Sequence, residues 1–128
     1  ALNVSLAELF VGHRAPGPQV VRAAARPTLR GGWSKAHIDA LVPHPQSGTL
    51  EALLVTLEPG GSSSKTLSSG DGDQFSMALE GEIVLHHGPQ SVVLKKGDAV
   101  LVRARTPHRW SNQGRHPAQI LLVSQKHR

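Results

Sequence analysis

The sequence predicts an all-β domain, a small barrel or sandwich, preceded by one short helix. Three features carry that expectation. Beyond residue 17 the apolar residues fall in short runs, several with a period of two. Clusters of Gly, Pro, Asn and Asp separate these runs at close spacing, and no second stretch repeats apolar residues at the helical interval. With 128 residues the chain has room for one well-buried core but not two.

The helix is expected within Ala1–Phe10. Ser5 serves as an N-cap and Glu8 completes a capping box, after which Leu6, Leu9 and Phe10 share one face. So short a helix does not persist alone in water, so that face needs a partner in the following domain or in another one. Gly12–Gly17, with Pro16 and Pro18, reads as a linker. Strands are then expected at Gln19–Ala25, Gly32–Val42, Leu50–Leu57, Gln74–Leu79, Glu82–His87, Gln90–Leu94, Ala99–Val102, His108–Asn112 and Ala118–Ser124. The breaks between them are Pro43–Pro45, Pro59–Gly61, Ser69–Gly72, Glu80–Gly81, Gly88–Pro89, Gly97–Asp98, Thr106–Pro107 and Gln113–Gly114.

Composition narrows the function classes. The chain lacks cysteine, which excludes disulfides, zinc ribbons, iron–sulfur clusters and thiol nucleophiles and suits a reducing cytosol. Neither a membrane-length apolar stretch nor the pattern of a signal peptide is present, so a soluble cytoplasmic protein with no membrane partner is expected. The formal charge is +5, with eight histidines besides. Lys and Arg are scattered, form no basic helix face, and are joined by few aromatics for stacking bases. A solvated basic surface is therefore favoured over direct nucleic-acid binding by these residues.

Two stretches resemble the paired motifs of the cupin family. Residues 59–88 hold Pro59-Gly60-Gly61, then Asp73-Gln74-Phe75-Ser76-Met77-Ala78-Leu79-Glu80-Gly81, then Gly88. Residues 97–112 hold Gly97-Asp98-Ala99-Val100 and Thr106-Pro107-His108-Arg109-Trp110-Ser111-Asn112. The resemblance implies a double-stranded β-helix, a jelly-roll barrel, over residues 13–128. It also implies an inward metal site of three imidazoles and one carboxylate, a donor set suited to Fe, Mn, Ni, Cu or Zn. The last ligand carries over onto His108. The others do not: the carboxylate position falls on Gln74 and the two histidine positions on Ser68 and Gly70, while a one-residue loop shift gives Leu67 and Ser69. No metal and no cofactor are therefore expected. A rebuilt site is the alternative, drawing on His108, one of His86 or His87, and Asp71 or Asp73. Adjacent strand histidines face opposite ways, so only one of the pair could join it, and the plain reading of both is an exposed hairpin end.

A ligand pocket does not require the metal. Ser76 and Ala78 share the face of Gln74, and Trp110 and Asn112 share that of His108, so small side chains leave room beside a flat apolar ring with one donor. Trp110 reads equally as plain core. Arg103 and Arg105 occupy the positions of the family's Pro and Gly; at a barrel mouth they would favour a carboxylate or phosphate, and otherwise they are solvated loop charges. The pocket candidates are thus Gln74, Ser76, His108, Trp110, Arg103 and Arg105, for a small-molecule effector, anionic if the arginines take part.

The opening Ala1–Phe10 is similar to the end of the helix-turn-helix domain in Xre-type transcription regulators, a group in which that domain joins a C-terminal cupin through a short linker. Leu53–Gly61, Gln74–Glu82 and Pro107–Asn112 resemble the cupins of that group. The resemblance implies that residues 1–12 are the remnant of a last upstream helix plus linker. It further implies that DNA is contacted only by an upstream domain outside this sequence, and that the cupin is an effector and homodimerisation domain. On this reading the chain is not an enzyme. The competing readings are a metal-dependent dioxygenase or isomerase with a degenerate or rebuilt site, and a metal-free enzyme or carbohydrate-binding cupin using His108 as acid or base. The last of these requires a second titrating partner.

Overall fold

The computed structural model describes residues 17–43 and 50–125; the expected helix in Ala1–Phe10 lies outside them. The described residues form nine strands: β1 (Thr28–Leu29), β2 (Ser34–Ala40), β3 (Leu50–Ser62), β4 (Gln74–Glu80), β5 (Glu82–His87), β6 (Gln90–Lys95), β7 (Ala99–Val102), β8 (Arg109–Ser111) and β9 (Ala118–Gln125). They make one antiparallel sheet in the order β6-β5-β8-β3-β9-β4-β7, with β2 also paired to β3 and β1 to β2. The sheet curls into a nearly closed barrel, the all-β architecture that the alternation of the sequence predicts.

Its interior is set by strand register. Residues opposite one another on neighbouring strands point the same way, so β3, β9, β4 and β7 contribute side chains in rows. Leu57 sits beside Ala118 at the closed end. Val55, Ile120 and Ala78 follow, then Leu53, Leu122, Ser76 and Val100, and finally Glu51, Ser124, Gln74 and Val102 at the mouth. From β2, Ile38 and Ala40 join the same interior opposite Val55 and Leu53. Leu57, Val55, Ile120, Ala78 and Ser76 are wholly buried. Each buried Leu, Ile or Val contributes about 2 kcal/mol relative to exposure, so these rows anchor the barrel. On the far side Trp110 of β8 lies opposite Leu85 of β5, and Ile83 opposite Leu94 of β6; all four belong to the core.

Two expectations are corrected. Gln19–Ala25 is not a strand: it ends in a 3-10 turn over Ala23–Ala25. The three alanines are exposed and carry no side chain large enough to fix an inward face, so alternation has nothing to act on there. Pro59–Gly61, read as a break, lies within β3. Here the glycines bend the strand from β9 towards β8 rather than ending it. Gly60 donates its N–H to Asn112 O at 2.9 Å, and Gly61 O accepts from Asn112 N at 3.0 Å. A Cβ on Gly61 would stand 2.8 Å from Lys35 O and 2.9 Å from Leu57 Cδ2, so β2 and β3 come this close only because that atom is missing.

Asn112 fastens the closed end. Its Nδ2 donates to Leu57 O at 2.9 Å and His116 O at 2.8 Å, and its Oδ1 accepts from Gly114 N at 2.9 Å. The β4–β5 turn is as tightly fixed: Gly81 has φ +70°, and a Cβ there would meet Pro117 O at 2.8 Å. Gly81→Ala combines a left-handed backbone with that clash, so it is expected to lower stability by about 2 kcal/mol or more. Urea unfolding of the two proteins side by side checks this.

Candidate functional site

The barrel opens at the ends of β3, β9, β4 and β7, where a cavity of about 350 Å³ is lined by Glu51, Gly70, Asp71, Gly72, Gln74, Val102, Arg103, His108, Ser124 and Gln125. A second cavity of about 240 Å³ shares Val102, Arg103 and His108 with it and adds Leu85, His87, Val100, Leu101 and Thr106. His108 thus stands between the two. Its Nδ1 lies 2.8 Å from Thr106 O. A carbonyl only accepts, so Nδ1 carries the hydrogen and Nε2 of the neutral ring keeps its lone pair. The ring meets Trp110 edge-on, with centroids 6.4 Å apart.

The loops that carry the metal ligands in the resemblance are stitched to each other by main chain. Ser68 and His108 exchange two backbone hydrogen bonds, at 2.9 and 2.8 Å. Arg105 N donates to Gly70 O at 2.8 Å, and Ala104 N to Asp73 Oδ1 at 2.8 Å. Arg105 holds φ +63°, a left-handed backbone on a non-glycine residue at the position where the family motif has Gly. Such a conformation persists because the neighbouring bonds fix it.

Of the sequence candidates, Gln74, His108 and Arg103 meet in the mouth cavity. Ser76 lies one inward step below Gln74 on β4, and Trp110 one below His108 on β8; both are buried. Arg105 is exposed and lines neither cavity. Arg103 lines both, but its side chain is 74% exposed and its Nη1 is 3.8 Å from Asp73 Oδ2. Trp110 belongs to the core, as its plainer reading had it. Even so, its Nε1, Ser76 Oγ and Gln74 Oε1 are buried side-chain atoms with no hydrogen-bond partner among the described residues. Each such group costs roughly 1–3 kcal/mol when left unpaired, and two of the three, on Gln74 and Ser76, lie on the same face of β4.

The structure adds residues that the sequence reading missed. Glu51 and Ser124 stand in the mouth row with Gln74. Their signal was the alternation Glu51, Leu53, Val55, Leu57, but the opposite face of that strand, Leu50, Ala52, Leu54, is as apolar, so the inward face was not decided. His86 and His87 are half-buried rather than exposed. His87 faces the second cavity, whereas His86 points the other way, with Nε2 2.8 Å from Ser111 Oγ.

Ser68, Gly70 and Gln74 supply no imidazole or carboxylate, and among the described residues no three His, Asp or Glu side chains converge as a metal site. The donor set does not fit the family's metal. Elemental analysis of purified protein is expected to find well under one transition metal per chain; one per chain would overturn the loss of the site.

Burial, and secondly the Arg109 guanidinium beside it, push the His86 pKa below its ordinary 6.5. The unfolded chain therefore takes up this proton at a higher pH than the folded one does. Stability contributed by neutral His86 is present above about 6.5 and is lost as pH falls below it. His86→Gln, which keeps a partner for Ser111, is expected to make the decline in melting temperature between pH 7.5 and 5.5 shallower, as followed by circular dichroism (about 2 pH units on the scale of a histidine titration).

Comparison with known proteins gives a consistent family. A model described as Cupin domain matches residues 53–124. No curated protein matches. Among solved structures, hydroxypropylphosphonic acid epoxidase from S. wedmorenis is similar at 24% identity and TM-score 0.72, covering 84% of this chain and 59% of its own. The polyketide cyclase RemF from Streptomyces resistomycificus is similar at 16% identity and TM-score 0.71, covering 85% and 80%. The Cupin_2 domain of an XRE family transcriptional regulator from Enterobacter cloacae is similar at 17% identity and TM-score 0.64, covering 74% of this chain and all, 100%, of that domain. At these identities the likeness is one of fold. It includes enzymes as well as a regulator's domain, and among the described residues no helix is long and apolar enough to cross a membrane.

Proposed function

The chain belongs to the cupin family, and from that membership we propose that it is the ligand-sensing, homodimerising domain of a DNA-binding transcription regulator. One observation carries the reading: the interior keeps three unpartnered buried polar atoms, on Gln74, Ser76 and Trp110, in a barrel whose metal-ligand positions hold Ser68, Gly70 and Gln74. Buried polar atoms left without partners suit recognition of a guest molecule that would supply them. The regulator part rests on the Ala1–Phe10 resemblance and on the similar fold of a regulator's Cupin_2 domain. In this role a guest acts by favouring one dimer geometry, and so changes the spacing of two upstream DNA-reading helices.

A second reading has its own support. His108 and Glu51 line one cavity, and metal-free acid–base catalysis needs two ionisable groups in one site. The similar folds of an epoxidase and a cyclase leave room for it.

The two separate on DNA. The coding sequence immediately before the Ala1 codon is expected to encode a helix-turn-helix domain, and the longer protein to retain a fragment of its own promoter in a gel-shift assay. An upstream frame without such helices, or a longer protein that leaves the fragment unshifted, would remove the regulator reading in favour of the enzyme.

A further inference from the structure

Half of the barrel wall is apolar on both of its sides. An antiparallel sheet with one face in water commonly turns polar side chains outward. On β7, β4, β9 and β3 it does not. Leu101, Phe75 and Val123 form one outward row, continued by Ala52. Met77 and Leu121 form the next, between Ala99 and Leu54. Leu50 extends this field towards the mouth, and no charged side chain interrupts its rows. Leu50, Leu101 and Phe75 are 58%, 52% and 39% exposed. Together with Val123 they border a hollow of about 450 Å³.

The border of the field is polar and largely paired within the chain. At the closed end Gln119 Nε2 donates to Thr56 Oγ1 at 3.3 Å. Beside Leu54, Asp39 is flanked by Arg26 and His37. Lys96 faces Glu80, Arg103 faces Asp73, and Asp71 is the one further charge lining the hollow. A border so balanced gives neither a strongly basic nor a strongly acidic partner much to read. Four strands about 4.8 Å apart and five residues of about 3.4 Å outline roughly 300 Å². With a border one strand spacing wide the footprint reaches roughly 800 Å², which is what a standard interface buries on each partner. Copies of a chain carrying +5 repel at long range, so a contact between them is favoured where the facing surfaces are neutral and apolar, as here.

We propose that the outer face of β7, β4, β9 and β3 is where a second copy of this chain packs, the two fields meeting across a two-fold axis. Such a contact requires one surface to be complementary to itself, which a neutral apolar field framed by its own ion pairs satisfies. This rests on the homodimer reading above and names its surface. Phe75, Leu101 and Val123 are each next in the chain to a residue that lines the mouth cavity, namely Gln74, Val102 and Ser124. The contact therefore backs directly on the mouth.

Sedimentation equilibrium of the full 128-residue chain tests it. The unmodified protein is expected to sediment as a dimer and Leu101→Glu as a monomer, because association would bury two carboxylates without partners. Val93→Glu alters a residue on β6 that is 48% exposed and outside the field, and it is expected to leave the dimer intact. Leu101→Ala adds no charge and is expected to weaken association about tenfold, which keeps the test open if circular dichroism shows the glutamate variant unfolded. A dimer that Leu101→Glu and Leu101→Ala leave unweakened, or one that Val93→Glu dissociates, overturns the assignment of this face while the homodimer reading stands. An unmodified chain that stays monomeric at every concentration, its field covered from within or by a different protein, overturns both.

Discussion

Leu50 to Leu57 of β3 pair residue for residue with Gln125 to Ala118 of β9, and β9 passes the same register on to β4. Side-chain direction alternates with every residue, so a slip by one position would turn Leu57, Val55, Ile120 and Leu122 outward and bring Leu54, Thr56 and Leu121 in. The mouth row would be lost with them. The position of Glu51, Ser124 and Gln74 at one end and of Leu57 and Ala118 at the other is a consequence of this single pairing. Asn112 guards it from the closed end, because its bond to Leu57 O ties the last row of β3 to the segment that leads into β9.

Much of this was legible in the residues alone. Glu82–His87 and Ala99–Val102 have the bounds the sequence predicts, and the other main strands differ by a few residues. These segments alternate, and Gly or Pro bounds them. The spacing of the second motif likewise put His108 and Trp110 on one face of a strand, and the structure brings their rings into edge contact. Where the reading failed, local chemistry was ambiguous. A strand apolar on both faces does not say which face is inward, which hid Glu51, and the same doubt covered His86 and His87 because Ile83, Val84 and Leu85 are all buried. Pro59–Gly61 looked like a stop because glycine serves both turns and bends; only the approach of β2 distinguishes them. Arg103 and Arg105 look alike in sequence, yet one lines the cavity and the other does not, a matter of loop backbone that no side-chain pattern records.

On the proposed reading, the site is a cupin interior that has exchanged coordination for recognition. A metal centre needs several lone pairs converging on a point. Here the corresponding positions hold a serine, a glycine and a glutamine, and what remains is one imidazole whose Nδ1 is committed to Thr106 O. The polar atoms that lack partners are spread over two layers instead of converging on one point. Fold likeness to an epoxidase, a cyclase and a regulator's domain is compatible with this, because one scaffold hosts many chemistries and the side chains of the site decide among them.

The stitching of the mouth loops has a consequence for how such a protein can change over generations. Ser68 to His108 and Gly70 to Arg105 are joined through main-chain atoms, whatever their side chains, and only Asp73 contributes through its carboxylate. An entrance closed by coordination loses its shape when any ligand residue mutates. One laced through the backbone leaves the surrounding side chains free to vary, so selection can reshape the lining without first dismantling the doorway.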